Sequence, residues 1–218
     1  MKALLIACDF DGTVTQRDTL HVIVEAFGDP RVWDSLEPAL HAGELTVEDA
    51  LSQQFATVHT TADAVRDLVA ERAPVRPGFV DFVDWARDVG HEVLILSNGF
   101  RSVIGPVLAG VGLSDLEVVA NDCAFGLDGA AIRWADRGPR CVMCDRPCKR
   151  APLAERTAGR PTVMIGDGIS DRCVAGAADH VFARDFLARD LTSRGRPFTP
   201  FDDFDQVRAG VAQMEALT

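Results

Sequence analysis

The side chains that could do chemistry are Asp9 and Asp11, Ser97 and Asn98, Lys149, and Asp167 and Asp171. Three of these groups follow short apolar runs: Ala3-Leu4-Leu5-Ile6-Ala7-Cys8, Glu92-Val93-Leu94-Ile95-Leu96 and Pro161-Thr162-Val163-Met164-Ile165. Short apolar runs closed by glycine and polar residues read as buried parallel strands. In open α/β sheets, ligands bind where such strands end. If the first strand stays extended, Asp9 and Asp11 project to one side and Phe10 to the other. Two adjacent carboxylates repel and need a cation or a shared proton. Acids for a hard divalent cation, a hydroxyl and backbone N–H groups for an anion, and a lysine to balance charge are the parts needed for phosphoryl transfer.

Strand–helix alternation around these ends predicts an α/β fold with a doubly wound, mainly parallel sheet. Residues 16–74 break that alternation. Leu20, Ile23, Val24 and Phe27 fall at helical spacing, and Thr46 and Thr61 begin two further helical patterns as caps. Between them Trp33, Leu36 and Leu40 form another, which Pro38 should kink or split. The expectation is a core of residues 1–15 and 75–218, with 16–74 as an inserted helical cap that closes over substrate. Residues 116–120 read as a short strand. A turn at 125–129 then leads to a returning strand over 132–135, and 180–183 reads as the last strand. Residues 101–111 and 204–214 read as helices.

The chain has 218 residues, 47% of them apolar and 25% charged, with 33 acids against 22 lysines and arginines. The formal charge of −11 disfavours nucleic acid and anionic membranes as partners. The apolar run before Cys8 is too short for an export signal. No run approaches membrane-spanning length, and a cytoplasmic protein with reduced thiols is expected. Cys141, Cys144 and Cys148 have metal-like spacing but supply three thiolates. Cys123 or a histidine could add a fourth for zinc; free thiols are the alternative.

The motifs Asp9-Phe10-Asp11-Gly12-Thr13, Leu96-Ser97-Asn98-Gly99, Cys148-Lys149 and Gly166-Asp167-Gly168-Ile169-Ser170-Asp171 occur in that order. Together they resemble the haloacid dehalogenase superfamily of phosphatases, and the insertion resembles the cap of its phosphoserine-phosphatase-like branch. The resemblance implies a Rossmann-like fold and Mg²⁺ held by Asp9, the backbone carbonyl of Asp11 and Asp167. It makes Asp9 the nucleophile, which forms an aspartyl-phosphate, and Asp11 the acid and then the base. Thr13, Ser97, Asn98 and Lys149 would surround the phosphate, Thr13 also steadying the loop. Asp171 would act through water or Lys149, and Asp18 would face substrate. The partner implied is a small phosphorylated metabolite.

Within the branch the cysteine-rich stretch, Ala183-Arg184-Asp185-Phe186-Leu187 and Pro197-Phe198-Thr199-Pro200-Phe201 are similar to enzymes acting on 2-hydroxy-3-keto-5-methylthiopentenyl-1-phosphate. Phosphocholine and phosphoethanolamine phosphatases share cysteines there. Ser170 stands where phosphoserine phosphatases usually have asparagine. A phosphotransferase with the same intermediate, and a receiver-like phosphate-sensing domain, are the other readings of these residues.

Overall fold

The computed structural model describes residues 3–216. Seven strands form one sheet: β1 (Leu5–Cys8), β2 (Glu92–Phe100), β3 (Glu117–Gly126), β4 (Gly129–Arg133), β5 (Thr162–Gly166), β6 (His180–Ala183) and β7 (Thr199–Pro200). Their order is β4-β3-β2-β1-β5-β6-β7. All neighbours are parallel except the β3–β4 hairpin. The chain moves outward from β1 through β2 and β3, then returns to β5 on the opposite side of β1. Strand order therefore reverses at β1, and a crevice opens beyond its carboxyl end.

The central strands are apolar on both faces because both faces are covered. Ile6, Cys8, Ile95 and Ile165 turn toward Phe79, Phe82, Ile104 and Phe204. Those side chains come from α5 (Phe79–Asp88), α6 (Arg101–Gly110) and the last helix (Phe204–Ala216). Leu5, Ala7, Leu94 and Met164 turn the other way, onto Leu153 and Val174. These belong to α7 (Arg150–Thr157) and α8 (Arg172–Ala175). Phe204 is fully buried, with its ring 4.9 Å from Phe79 and 5.5 Å from Phe82. Phe204→Ala should therefore cost about 3–5 kcal/mol. It should appear as a lower urea midpoint at unchanged slope.

Between β1 and α5 lie four helices: α1 (Thr19–Phe27), α2 (Arg31–Ala42), α3 (Val47–Phe55) and α4 (Ala62–Arg72). Asp18, Thr46 and Thr61 cap α1, α3 and α4 by accepting from the N–H groups of His21, Asp49 and Ala64. Ile23, Phe55, Val65 and Val69 form a core of their own, closed below by Phe100, Val103 and Cys123. The two connecting segments run antiparallel. Gln16 donates to the Pro74 carbonyl at 2.9 Å, and Arg76 donates to that of Val14 at 2.7 Å.

Four local expectations are corrected. Helix α2 runs unbroken through Pro38. Pro38 is exposed, so the carbonyl it leaves unbonded can be solvated. Strand β3 continues to Gly126 instead of stopping at residue 120. Its partner β4 spans Gly129–Arg133, earlier than residues 132–135, because pairing starts directly at the Gly126–Gly129 turn. Finally, β7 follows β6 as the edge strand.

Candidate active site

The strand stops at Cys8 and the two carboxylates lie beyond it on a turn, yet Asp9 and Asp11 still face one cavity while Phe10 is buried in the core, as alternation predicts. Asp9 directly follows β1 and accepts from its neighbour's N–H, Phe10 N to Asp9 Oδ1, at 2.7 Å. Residues 10–14 then curl into one wide helical turn, closed by Thr15 N donating to Phe10 O at 3.1 Å. Gly12 makes the turn possible. Its φ is 80°, and a Cβ there would lie 2.6 Å from Asp167 Oδ2. Arg76 fastens the turn from beneath. Its guanidinium donates to the carbonyls of Thr13 (2.8 Å), Gly12 (2.7 Å), Thr15 (3.1 Å) and Asp202 (3.1 Å).

This turn sends Asp9 and Asp11 into different surroundings. Asp9 Oδ1 lies 2.7 Å from Lys149 Nζ, and the same nitrogen lies 2.7 Å from Asp171 Oδ1. Lys149 is fully buried where α7 begins. Burial alone would lower its pKa, but Asp171 and Asp9 outweigh it and hold the ammonium charged. The other oxygen of Asp171 accepts from the N–H groups of Asp167 (3.2 Å) and Gly168 (3.1 Å). Thr13 donates its hydroxyl to Asp167 Oδ1 at 2.6 Å. Carboxylate oxygens of Asp9, Asp167 and Asp171 all lie within 4.8 Å of one another.

That crowding shows in the protonation equilibria. Burial, then the charge of Asp171, raises Asp167 to about 8 and pushes Asp9 well up too. One ammonium among three crowded carboxylates leaves a negative excess when all three are ionised. A hard divalent cation taking oxygen ligands would relieve it, so the donor set fits Mg²⁺.

Asp11 takes other partners. It accepts from the hydroxyls of Thr19 and of Ser97, the latter at 2.9 Å. Burial, then the nearby Asp18 charge, raises it to about 6 despite those two hydrogen bonds. Ser97 stands at an irregularity in the β2–β3 pairing between Leu96 and Phe100, where a strand can re-aim its side chains. Its Oγ also accepts from Gly99 N at 2.7 Å. The carbonyls of Ser97 and Asn98 are tied back by Arg137 and Asn121, each at 2.7 Å.

A cavity of about 150 Å³ opens before these groups, walled by Asp9, Asp11, Asn98 and Asp167 on the sheet side. Leu20, Trp33, Leu40, Val47 and Leu51 face them from the helices, with the exposed Asp18 and His21 at the side. A hollow of about 580 Å³ adjoins it, sharing Leu40, Asn98 and Ser170.

The structure thus brings Asp9, Lys149, Asp167 and Asp171 into one cluster and Asp11 with Ser97 into another. Asn98 and Asp18 reach the cavity wall, while Thr13 is fully buried behind Asp167. Thr19, Arg76, Asn121 and Arg137 were not legible in the sequence. They follow no motif; each acquires its part only when segments far apart in the chain meet.

The family model described as "haloacid dehalogenase-like hydrolase" matches residues 6–176. Similar curated proteins include a 2-hydroxy-3-keto-5-methylthiopentenyl-1-phosphate phosphatase of Brevibacillus brevis, 31% identical over 94% of each chain. Another with that name, from Geobacillus thermodenitrificans, is 31% identical over 99% of each. Among solved structures, an aspartyl-phosphate-analogue form of phosphoserine phosphatase superposes with a TM-score of 0.71 at 18% identity, covering 93% of this chain and 95% of that one. A substrate-bound phosphoserine phosphatase gives 0.71 at 17%, covering 95% and 97%. At such identity these two speak for the fold. With its motifs in order, its sheet wound about β1 and its relatives similar end to end, the chain belongs to the haloacid dehalogenase-like hydrolase family, among its phosphatases.

Proposed function

We propose that the protein hydrolyses a small phosphomonoester with an apolar leaving group, through an aspartyl-phosphate on Asp9. The observation that carries this is the hold on Asp9. Its Oδ1 is fixed by Phe10 N–H and Lys149, which leaves Oδ2 to attack into the cavity. As the new phosphorus–oxygen bond forms, the ester bond breaks and Asp11 protonates the departing alkoxide. Asp11 then takes a proton from the water that attacks phosphorus, and Asp9 is released with phosphate. Its burial and its two hydroxyl donors suit a group that must exchange a proton twice. Lys149 and the Ser97–Asn98 segment offset phosphate charge. Thr13 acts through Asp167, to which its hydroxyl is committed. A bound Mg²⁺, held by Asp9, the Asp11 carbonyl and Asp167, would stabilise charge on the phosphoryl group. In the same reading residues 16–74 are a cap on a core of 1–15 and 75–218, excluding water and choosing the leaving group.

The helical side of the cavity favours the enol phosphate for which the bacterial relatives are named. Its wall is Leu20, Trp33, Leu40, Val47 and Leu51, and no described lysine or arginine lines it to pair with a serine carboxylate. A methylthio-bearing chain suits that surface. Trp33 and Asp18 together favour one rival, a choline or ethanolamine head. Phosphate release should be measured from the methylthio enol phosphate, phosphoserine, phosphocholine and phosphoethanolamine, with Mg²⁺ and with EDTA. Fastest turnover of the enol phosphate is expected, and none with EDTA. Trp33→Ala should lower kcat/KM for it roughly 10-fold or more. A preference for phosphoserine would overturn the apolar-leaving-group reading, and release undiminished by EDTA would overturn the metal requirement.

A further inference from the structure

The geometry points to a second metal centre, a structural zinc bound by Cys141, Cys144, Cys148 and Cys173. The four sulfurs lie within 4.8 Å of one another, and all four cysteines are free thiols. Zinc–sulfur bonds of about 2.3 Å in a tetrahedron put the sulfurs about 3.8 Å apart, inside the span of this cluster. Cys123, the candidate fourth thiol from sequence, lies elsewhere. It packs with Phe55 and Phe100, and Cys173 takes the place instead.

These thiols are not core filler. Cys8 and Cys123 sit inside apolar clusters as small hydrophobic residues do. By contrast Cys144 is exposed, and Cys148 and Cys173 are half-buried. The backbone around them already has the shape of a metal-binding knuckle. Cys141 N donates to Arg146 O at 2.9 Å and Asp145 N to Cys141 O at 2.8 Å, with Asp145 at a left-handed φ of 53°. Two main-chain N–H groups point at sulfur: Met143 N at Cys141 Sγ (3.4 Å) and Arg150 N at Cys148 Sγ (3.5 Å). Such donors stabilise thiolates bound to a metal. Four thiolates on Zn²⁺ carry two net negative charges, and Arg140, Arg146, Arg150 and Arg172 stand in or beside the ligand-bearing segments.

The placement also gives the metal a purpose. Cys148 directly precedes Lys149, and Cys173 lies two residues after Asp171. The Lys149–Asp171 ion pair at 2.7 Å is therefore flanked by two ligands of one ion. Zinc would lock the loop over residues 137–148, which has no helix or strand of its own, onto α8. The metal would be a positioning device outside the reacting groups, holding Lys149 in place, and this does not depend on which phosphoester is cleaved.

The test uses the full chain, reduced, incubated with zinc sulfate and freed of excess by gel filtration, with metal measured by elemental analysis. One zinc per chain is expected, and Cys123→Ser should keep it. Cys173→Ser should lose it to a competing chelator that the wild type resists. Cobalt(II) in place of zinc should show thiolate-to-metal charge transfer and the intense visible bands of a tetrahedral ion in the wild type. Those bands should persist in Asp9→Asn. The wild-type spectrum decides the matter even if Cys173→Ser fails to fold. No retained zinc in the reduced protein, cobalt bands without thiolate charge transfer, or zinc held equally by Cys173→Ser would each overturn the site. So would a Cys148–Cys173 disulfide whose reduction yields no zinc binding.

Discussion

Asp9→Asn is expected to abolish phosphate release, by on the order of 10⁴-fold or more, in a protein that stays folded. The amide cannot supply the attacking oxygen, and no neighbouring carboxylate can replace it. Asp11 is committed to Thr19 and Ser97, Asp171 to Lys149 and two N–H groups, and Asp167 to Thr13. Stability should change little. The asparagine oxygen can still accept from Phe10 N–H, and the lost attraction to Lys149 is offset by relief of repulsion from Asp171 and Asp167. Phosphate release and a urea melt on the same sample check both halves. Residual turnover near the wild-type rate would remove Asp9 from the nucleophile's place.

Lys149→Met is expected to lose both activity and stability. It deletes the ammonium held 2.7 Å from each of Asp9 and Asp171, in a site where Lys149 and Asp171 are fully buried. Removing one partner of a buried pair leaves charge uncompensated, at a cost of about 3–5 kcal/mol. The methionine fills much the same volume, so the loss measured is electrostatic rather than a cavity. Urea unfolding at fixed pH, compared with Asp9→Asn, separates the two. If Lys149→Met were as stable as Asp9→Asn, the lysine would not be what holds the carboxylates together.

These expectations rest on parts of different legibility. The strand ends were readable because a buried parallel strand is a short apolar run, and its ligand-binding end is marked by the polar residues that interrupt it. The caps at Thr46 and Thr61 were readable for a similar reason: a cap is satisfied within three residues. The site's membership could be listed from such local signals together with the resemblance.

Its geometry could not. Alternation put Asp9 and Asp11 on one side, and both do line the cavity; what could not be read is the turn imposed by Gly12 and the Arg76 clamp and the different partners it gives the two carboxylates. Arg76 has no sequence mark, because what makes it structural is four carbonyls gathered from residues 12, 13, 15 and 202. Pro38 misled because its effect depends on whether the freed carbonyl meets solvent.

The cysteines divide most clearly. Three thiols at metal-ligand spacing within eight residues were readable along the chain. That Cys173, 25 positions beyond Cys148, joins them is visible only in the fold. Local signals arise from interactions that close within a turn or a strand. The fourth ligand, like the Lys149–Asp171 pair it flanks, exists only because β5 packs beside β1 and brings two distant segments to the same end of the sheet.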